Sequence, residues 1–174
     1  MVTLFRSHQR LSLIPFFLVA VILLSITACM NDYTVIDDMN DASFSLVNQD
    51  SVEVSFPSDF KGEYVVMGFI YTHCPDICPL ITQNLIAIQK GLDYPDNVQF
   101  LGVSFDPERD TPAILHRYKE VFKLDTNFQF LTGEPAMVEQ FMDSVRVRTQ
   151  ISMQTTTESG QEIYFLNHSD KIMV

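Results

Sequence analysis

Two near-continuous apolar runs constrain this chain most: "EYVVMGFIYT" at 63–72 and "NVQFLGVSF" at 97–105. Both are rich in β-branched and aromatic residues. A run of that kind reads as a strand buried on both faces, which belongs in a parallel sheet covered by helices. Each run is followed by helical spacing. After the first come Ile77, Ile81, Leu85 and Ile88, closed by Gly91. After the second, "DPERDTPAILHRYKEVFK" offers Asp110 or Thr111 as a cap and Pro112 for the first turn. Ile114, Tyr118 and Phe122 then form a stripe. A short strand at 127–133 precedes a helix at 134–147, with Met137, Phe141 and Val145 on one face. Upstream, "FSLVNQDSVEVSF" alternates and predicts a hairpin that turns at Asn48-Gln49-Asp50. Downstream, 151–169 predicts two strands around Glu158-Ser159-Gly160, and "KIMV" begins another. The order is that of an α/β domain with right-handed crossovers.

The first thirty residues follow different rules. Arg6 and Arg10 stand in a segment without acids, and 18 uncharged residues follow up to Cys29. A basic start, an apolar stretch and a small residue before the break describe a secretory signal. An uncleaved membrane anchor is the alternative, since the stretch is just long enough to span. Ile26-Thr27-Ala28-Cys29 resembles the lipobox of bacterial lipoproteins, which makes Cys29 the expected site of lipidation. Residues 1–28 are thus expected to be a signal and 29–42, polar and acidic, a tether. Residues 43–174 form the folded domain. Either reading puts that domain on the periplasmic or extracytoplasmic side of the cell envelope, held at a membrane.

The net charge of −11 leaves no basic stripe to neutralise phosphates, which argues against nucleic acid. Electrostatic docking on anionic lipid is disfavoured for the same reason.

The chemistry gathers at Cys74 and Cys78, four apart in "THCPDICPL". They lie just past the end of the 63–72 strand, and "DPERD" lies just past the end of the 97–105 strand. Sites in such sheets collect at the carboxyl ends of strands. Cys78 opens a helix, where free N–H groups and the dipole favour thiolate. Two buried, inert core thiols would not need Pro75-Asp76-Ile77 between them. A structural staple is the weakest reading, because so short a loop constrains the unfolded chain little. A disulfide switch and a metal clip both remain. Thioredoxin-type redox pairs have two intervening residues, whereas this pair has three. Two soft thiolates suit Cu(I), and a nitrogen ligand added to them would also hold Cu(II). Four histidines are available. His8 lies in the signal, His116 sits between stripe positions and so faces solvent, and His73 adjoins Cys74 and so points away from it. His168 closes the strand "IYFLNHS".

Three motifs in order, "YTHCPDICPL", "SFDPERDTP" and "YFLNHS", resemble the Sco (SenC/PrrC) family of copper chaperones over roughly residues 40 to 174. The resemblance implies a thioredoxin-like α/β fold. Its central mixed β-sheet is flanked by helices, with an N-terminal β-hairpin and an inserted hairpin near the ligand histidine. It implies copper held by Cys74, Cys78 and His168. Asp106 would be an acid beside the ligands that supports them or tunes their redox balance; equally, Asp106 and Asp110 would cap and brace their loop. The implied function is delivery of copper to the binuclear copper A centre of cytochrome c oxidase. The partners would be the oxidase subunit carrying that centre and other copper chaperones. The alternative is a thiol–disulfide reductase for the partner's copper-site cysteines, with Cys74 attacking and Cys78 resolving. A peroxide-reducing relative would need a Thr or Ser and an Arg around one lead cysteine, and no such set is found. Two departures stand out. Asn167 replaces the family's usual Asp before the histidine, which removes a charge near the metal without changing the ligands. The family pattern also continues past the histidine with a strand, a turn and a final helix, so a domain incomplete at its C-terminus is expected.

Overall fold

The computed structural model describes residues 38–174, except Tyr94 and Gln161. The expected signal, Cys29 and residues 29–37 of the tether lie outside the described residues.

The sheet is built from β1 (Phe44–Asn48), β2 (Glu53–Phe56), β3 (Tyr64–Ile70), β4 (Val98–Ser104), β5 (Phe128–Thr132) and β8 (Ile172–Met173). Helix α1 (Ile77–Gly91) joins β3 to β4, α2 (Pro112–Phe122) joins β4 to β5, and α3 (Pro135–Ser144) follows β5. The strand order is β2-β1-β5-β4-β3-β8. The three inner strands β3, β4 and β5 are parallel, and β1, β2 and β8 are antiparallel to their neighbours. The mixed sheet and the N-terminal hairpin are as expected. A separate two-stranded sheet, β6 (Thr149–Thr156) with β7 (Glu162–His168), is the expected hairpin before β8.

Register decides where the chemistry lands. Tyr64 pairs with Val98 and Ile70 with Ser104, so β3 and β4 finish side by side. The Phe105 N–H continues the pairing by donating to the Ile70 carbonyl at 3.1 Å. The cysteine loop and the "DPERD" loop therefore leave the sheet as neighbours.

Packing explains the glycines of the inner strands. A Cβ on Gly68 would stand 2.7 Å from Ile81 Cγ2, because α1 lies directly on β3. A Cβ on Gly102 would stand 2.4 Å from the Phe130 ring, which fills the space over β4. Phe141 of α3 anchors the larger cluster, its ring edge-on to Phe44 at 5.0 Å and to Phe56 at 5.3 Å. The smaller cluster centres on Phe100 stacked on Phe128 at 4.9 Å, with Leu85 of α1 against it.

Three local expectations are refined. In α2 the fully buried residue is Leu115, while Ile114, Tyr118 and Phe122 are only half-buried. Gln49 is no solvent turn residue: its N–H and Oε1 pair with the Phe130 carbonyl and N–H, extending the β1–β5 contact. Asp110 does not cap α2. Thr111 stands at the cap position without a side-chain bond, and Asp110 turns inward.

Candidate metal centre

The cysteine half grows from the β3–α1 junction. Tyr71 follows the last residue of β3, and its N–H donates to Cys78 Sγ at 3.3 Å. The Cys74 N–H donates to the Tyr71 carbonyl at 3.2 Å, which curls the loop back so that both sulfurs face one side. Cys78, in the first turn of α1, is wholly buried, and Cys74 is 9% exposed. Both thiols are free.

Asp110 braces this loop from below. It is fully buried and accepts from the Thr72 N–H at 3.0 Å, Thr72 Oγ1 at 2.5 Å and Ser104 Oγ at 2.6 Å. Burial raises its carboxyl pKa, against these hydrogen bonds, which pull it down.

The histidine half arrives from 90 residues away. His168 closes β7, and its Nε2 stands 3.4 Å from Cys78 Sγ. Its Nδ1 meets the Ser169 carbonyl at 3.1 Å. A proton on Nδ1 satisfies that carbonyl and leaves the Nε2 lone pair facing the sulfurs, the tautomer a metal requires. The ring packs on Phe105 at 4.6 Å and edge-on to Tyr71 at 6.0 Å. The ligand atoms of Cys74, Cys78 and His168 all lie within 4.8 Å of one another. Thiolate and imidazole bonds to a metal run about 2.0–2.3 Å, which puts two ligand atoms of one ion about 4 Å apart, so the trio fits an ion with little movement.

The two thiols are not alike. Burial works against the Cys74 thiolate, but the N–H groups of Cys78, Asp76 and Ile77 and the Cys78 thiol outweigh it, and its pKa falls below the usual value. Burial pushes the Cys78 thiol far up, and negative charge on Cys74 pushes it further. The site thus pairs a sulfur that ionises more readily, at the edge of the core, with a wholly buried one whose thiol form is favoured.

Asp106 faces elsewhere. Its carboxylate receives Arg109 Nε at 2.5 Å and the Tyr164 hydroxyl at 2.7 Å. Arg109 Nη1 in turn donates to the Tyr164 carbonyl at 2.8 Å, and the guanidinium lies 3.4 Å over the Tyr164 ring. The acid thus fastens the "DPERD" loop to β7, two strand positions from Leu166 and four from His168. His73, Asp106 and Asp110 also gather within 4.8 Å, but both carboxylates are already engaged. His116 is apart from the site, paired with Asp50 at 3.0 Å. Sequence reasoning gave no role to Tyr71, Arg109 or Tyr164. The available signals were a phenol at the buried end of a strand and an arginine between two acids.

The chain is similar to known proteins in both sequence and fold. The SCO1/SenC family profile matches residues 36–174. The SCO1 protein homologue of Bacillus subtilis is 37% identical over 101 residues, which is 56% of this chain and 52% of that protein. The mitochondrial SCO2 homologue of Bos taurus is 36% identical over 107 residues, 60% of this chain and 39% of that one. This chain therefore spans about two-fifths to half the length of these relatives. Bradyrhizobium japonicum ScoI with copper bound matches at a TM-score of 0.59 and 32% identity, covering 75% of this chain and 79% of its own. Arabidopsis thaliana ScoI with copper bound matches at 0.60 and 32%, covering 74% and 76%. The thioredoxin-like fold, the order of the three motifs and the profile match over most of the chain lead to one assignment: the protein belongs to the SCO1/SenC family.

Proposed function

We propose that this protein is a copper-binding chaperone that holds copper through Cys74, Cys78 and His168 and passes it to the binuclear copper A centre of cytochrome c oxidase. One observation carries the reading: two thiols and an imidazole nitrogen, drawn from two elements 90 residues apart, converge within 4.8 Å. Two soft sulfurs hold Cu(I), and the added nitrogen makes the same set suitable for Cu(II). Copper bound in two ScoI neighbours supports the choice of metal. Copper is cargo here, and a cysteine of the acceptor would replace Cys74, the more accessible of the two sulfurs. Other copper chaperones would load the site. Lipid on Cys29, or an uncleaved anchor, would keep the domain on the extracytoplasmic face of a membrane, beside the oxidase. Among the described residues, no helix is long and apolar enough to cross a membrane.

The test is copper stoichiometry with absorption and electron paramagnetic resonance, on the full chain and on His168→Ala. One equivalent of Cu(II) with a sulfur-to-copper charge-transfer band is the expected result, with the band altered and the binding weakened in the variant. Unchanged copper binding after replacement of Cys74, Cys78 and His168 would falsify it.

The asymmetry of the thiols favours a second activity, thiol–disulfide reduction. Cys74 thiolate would attack a disulfide of the acceptor, releasing one of its sulfurs as a thiol. Cys78 would then attack the mixed disulfide, free the second sulfur and leave a Cys74–Cys78 disulfide. This route needs both cysteines and not His168. Reduction of an acceptor disulfide that survives in His168→Ala supports it, and equal loss in that variant rules it out.

A further inference from the structure

We propose that Tyr71 is the positioning residue that sets His168 against the cysteines and joins the two halves of the site into one unit. The proposal rests on the reading of Cys74, Cys78 and His168 as the metal-holding set.

Tyr71 is 2% exposed and touches both halves. Its main-chain N–H donates to Cys78 Sγ. Its phenol, at the far end of the same residue, meets Leu166 of β7 twice. The oxygen accepts from the Leu166 N–H at 3.2 Å and donates to the Leu166 carbonyl at 3.4 Å. Leu166 and His168 are two apart on one strand, so their side chains share a face. The Tyr71 ring itself meets the imidazole edge-on.

The doubled contact has a physical reason. Among the described residues, β7 has β6 on one side and no strand on the other. Main-chain groups on an open side must find partners where water is scarce. A phenol both donates and accepts, so one side chain supplies what a neighbouring strand would. Phenylalanine would fill the same volume and supply neither bond.

Arg109 holds the same strand two residues earlier, at the Tyr164 carbonyl. Loss of the Tyr71 hydroxyl therefore leaves the hairpin attached while freeing the stretch from Leu166 to His168. That separates positioning from a general role in stability.

The experiment compares the parent with Tyr71→Phe, first free of metal. The Leu166 amide should exchange its hydrogen about fivefold faster in the variant, the effect of one ordinary hydrogen bond, while amides of β4 keep their rates. Cu(II) titration then reads the coupling. Tyr71→Phe should weaken binding about tenfold in the parent background and leave His168→Ala unaffected, since without the imidazole there is no ligand to place. Equal Leu166 exchange in parent and variant overturns the proposal, as do additive losses of affinity or protection lost evenly across the sheet. If the parent takes up no copper, the functional reading fails, and the metal-free exchange still decides the role of Tyr71. If Tyr71→Phe does not fold, the parent provides the second measurement. A nuclear Overhauser contact between the Leu166 amide and the Tyr71 ring protons next to the hydroxyl is expected, and its absence sinks the proposal.

Discussion

The two halves of the site stand on unlike ground. Cys74 and Cys78 belong to the main core cluster, beside Phe69, Ile70 and Ile81. His168 stands on a hairpin whose other strand, β6, is exposed along its whole length. The cysteine half is held by packing. The histidine half packs its imidazole on Phe105 and packs Leu166 against the core, and is otherwise held by polar contacts: Tyr71 with Leu166, Arg109 with Tyr164, the Ser169 N–H on the Arg148 carbonyl at 3.2 Å, and Lys171 Nζ on the Val145 carbonyl at 2.8 Å. A fully buried apolar side chain is worth about 1.5–3 kcal/mol, and a hydrogen bond about 1 kcal/mol net. The thiols therefore sit in the packed core, and the imidazole rides on an arm tied to that core chiefly by hydrogen bonds.

The strongest challenge to this contrast strikes the core. Phe141→Ala removes the ring on which Phe44 and Phe56 close, and should cost about 3–5 kcal/mol in urea unfolding. A cost below about 1 kcal/mol would mean that packing does not hold the cysteine half. Gly102→Ala drives a methyl into the buried Phe130 ring and should cost about 1–3 kcal/mol by the same measurement.

His168→Ala sharpens the comparison from the other side. Cu(II) affinity should fall at least about tenfold, while the unfolding midpoint of the metal-free protein barely moves. A large loss of stability would show that the arm is part of the core after all. Alkylation of the reduced, metal-free protein then separates the two thiols. Reaction at Cys74 should rise with pH through a midpoint below that of an ordinary thiol, because its thiolate is favoured, while Cys78, buried and shifted upward, stays unlabelled. Equal labelling would erase the difference between front and rear sulfur. The smallest effect belongs to the hairpin surface. Met153→Ser, at a position 57% exposed, should change stability by less than about 0.5 kcal/mol.

Where the sequence could be read, the signal was local. The apolar runs at 63–72 and 97–105 became β3 and β4, and the spacing of Ile77, Ile81 and Leu85 became α1 with matching ends. Periods of two and of 3.6 are imposed by neighbouring residues alone, so a single sequence displays them. The same logic put Cys74 and Cys78 past a strand end, where α/β sheets place their chemistry. Burial inside an element was less legible: Leu115, not the expected stripe, is the residue of α2 that is lost from water, because the tilt of a helix on its sheet is set by the neighbours it meets. The two-residue strand β8 lies antiparallel on β3 at Met67 and Gly68, a pairing that nothing in "KIMV" specifies.

The sequence by itself determined the α/β element order, the thiol pair at a strand-to-helix junction and, through resemblance, the histidine to pair with it. Only the tertiary structure decided the contacts that make these parts one site. Asp110 turns inward to Thr72 and Ser104, Asp106 is fastened by Arg109 and Tyr164, and Tyr71 reaches Leu166 across 95 residues. The physical reason is range. Secondary structure follows from contacts a few residues apart, whereas the approach of His168 to Cys78 depends on strand register, helix seating and hairpin placement acting together, and no local pattern encodes their sum.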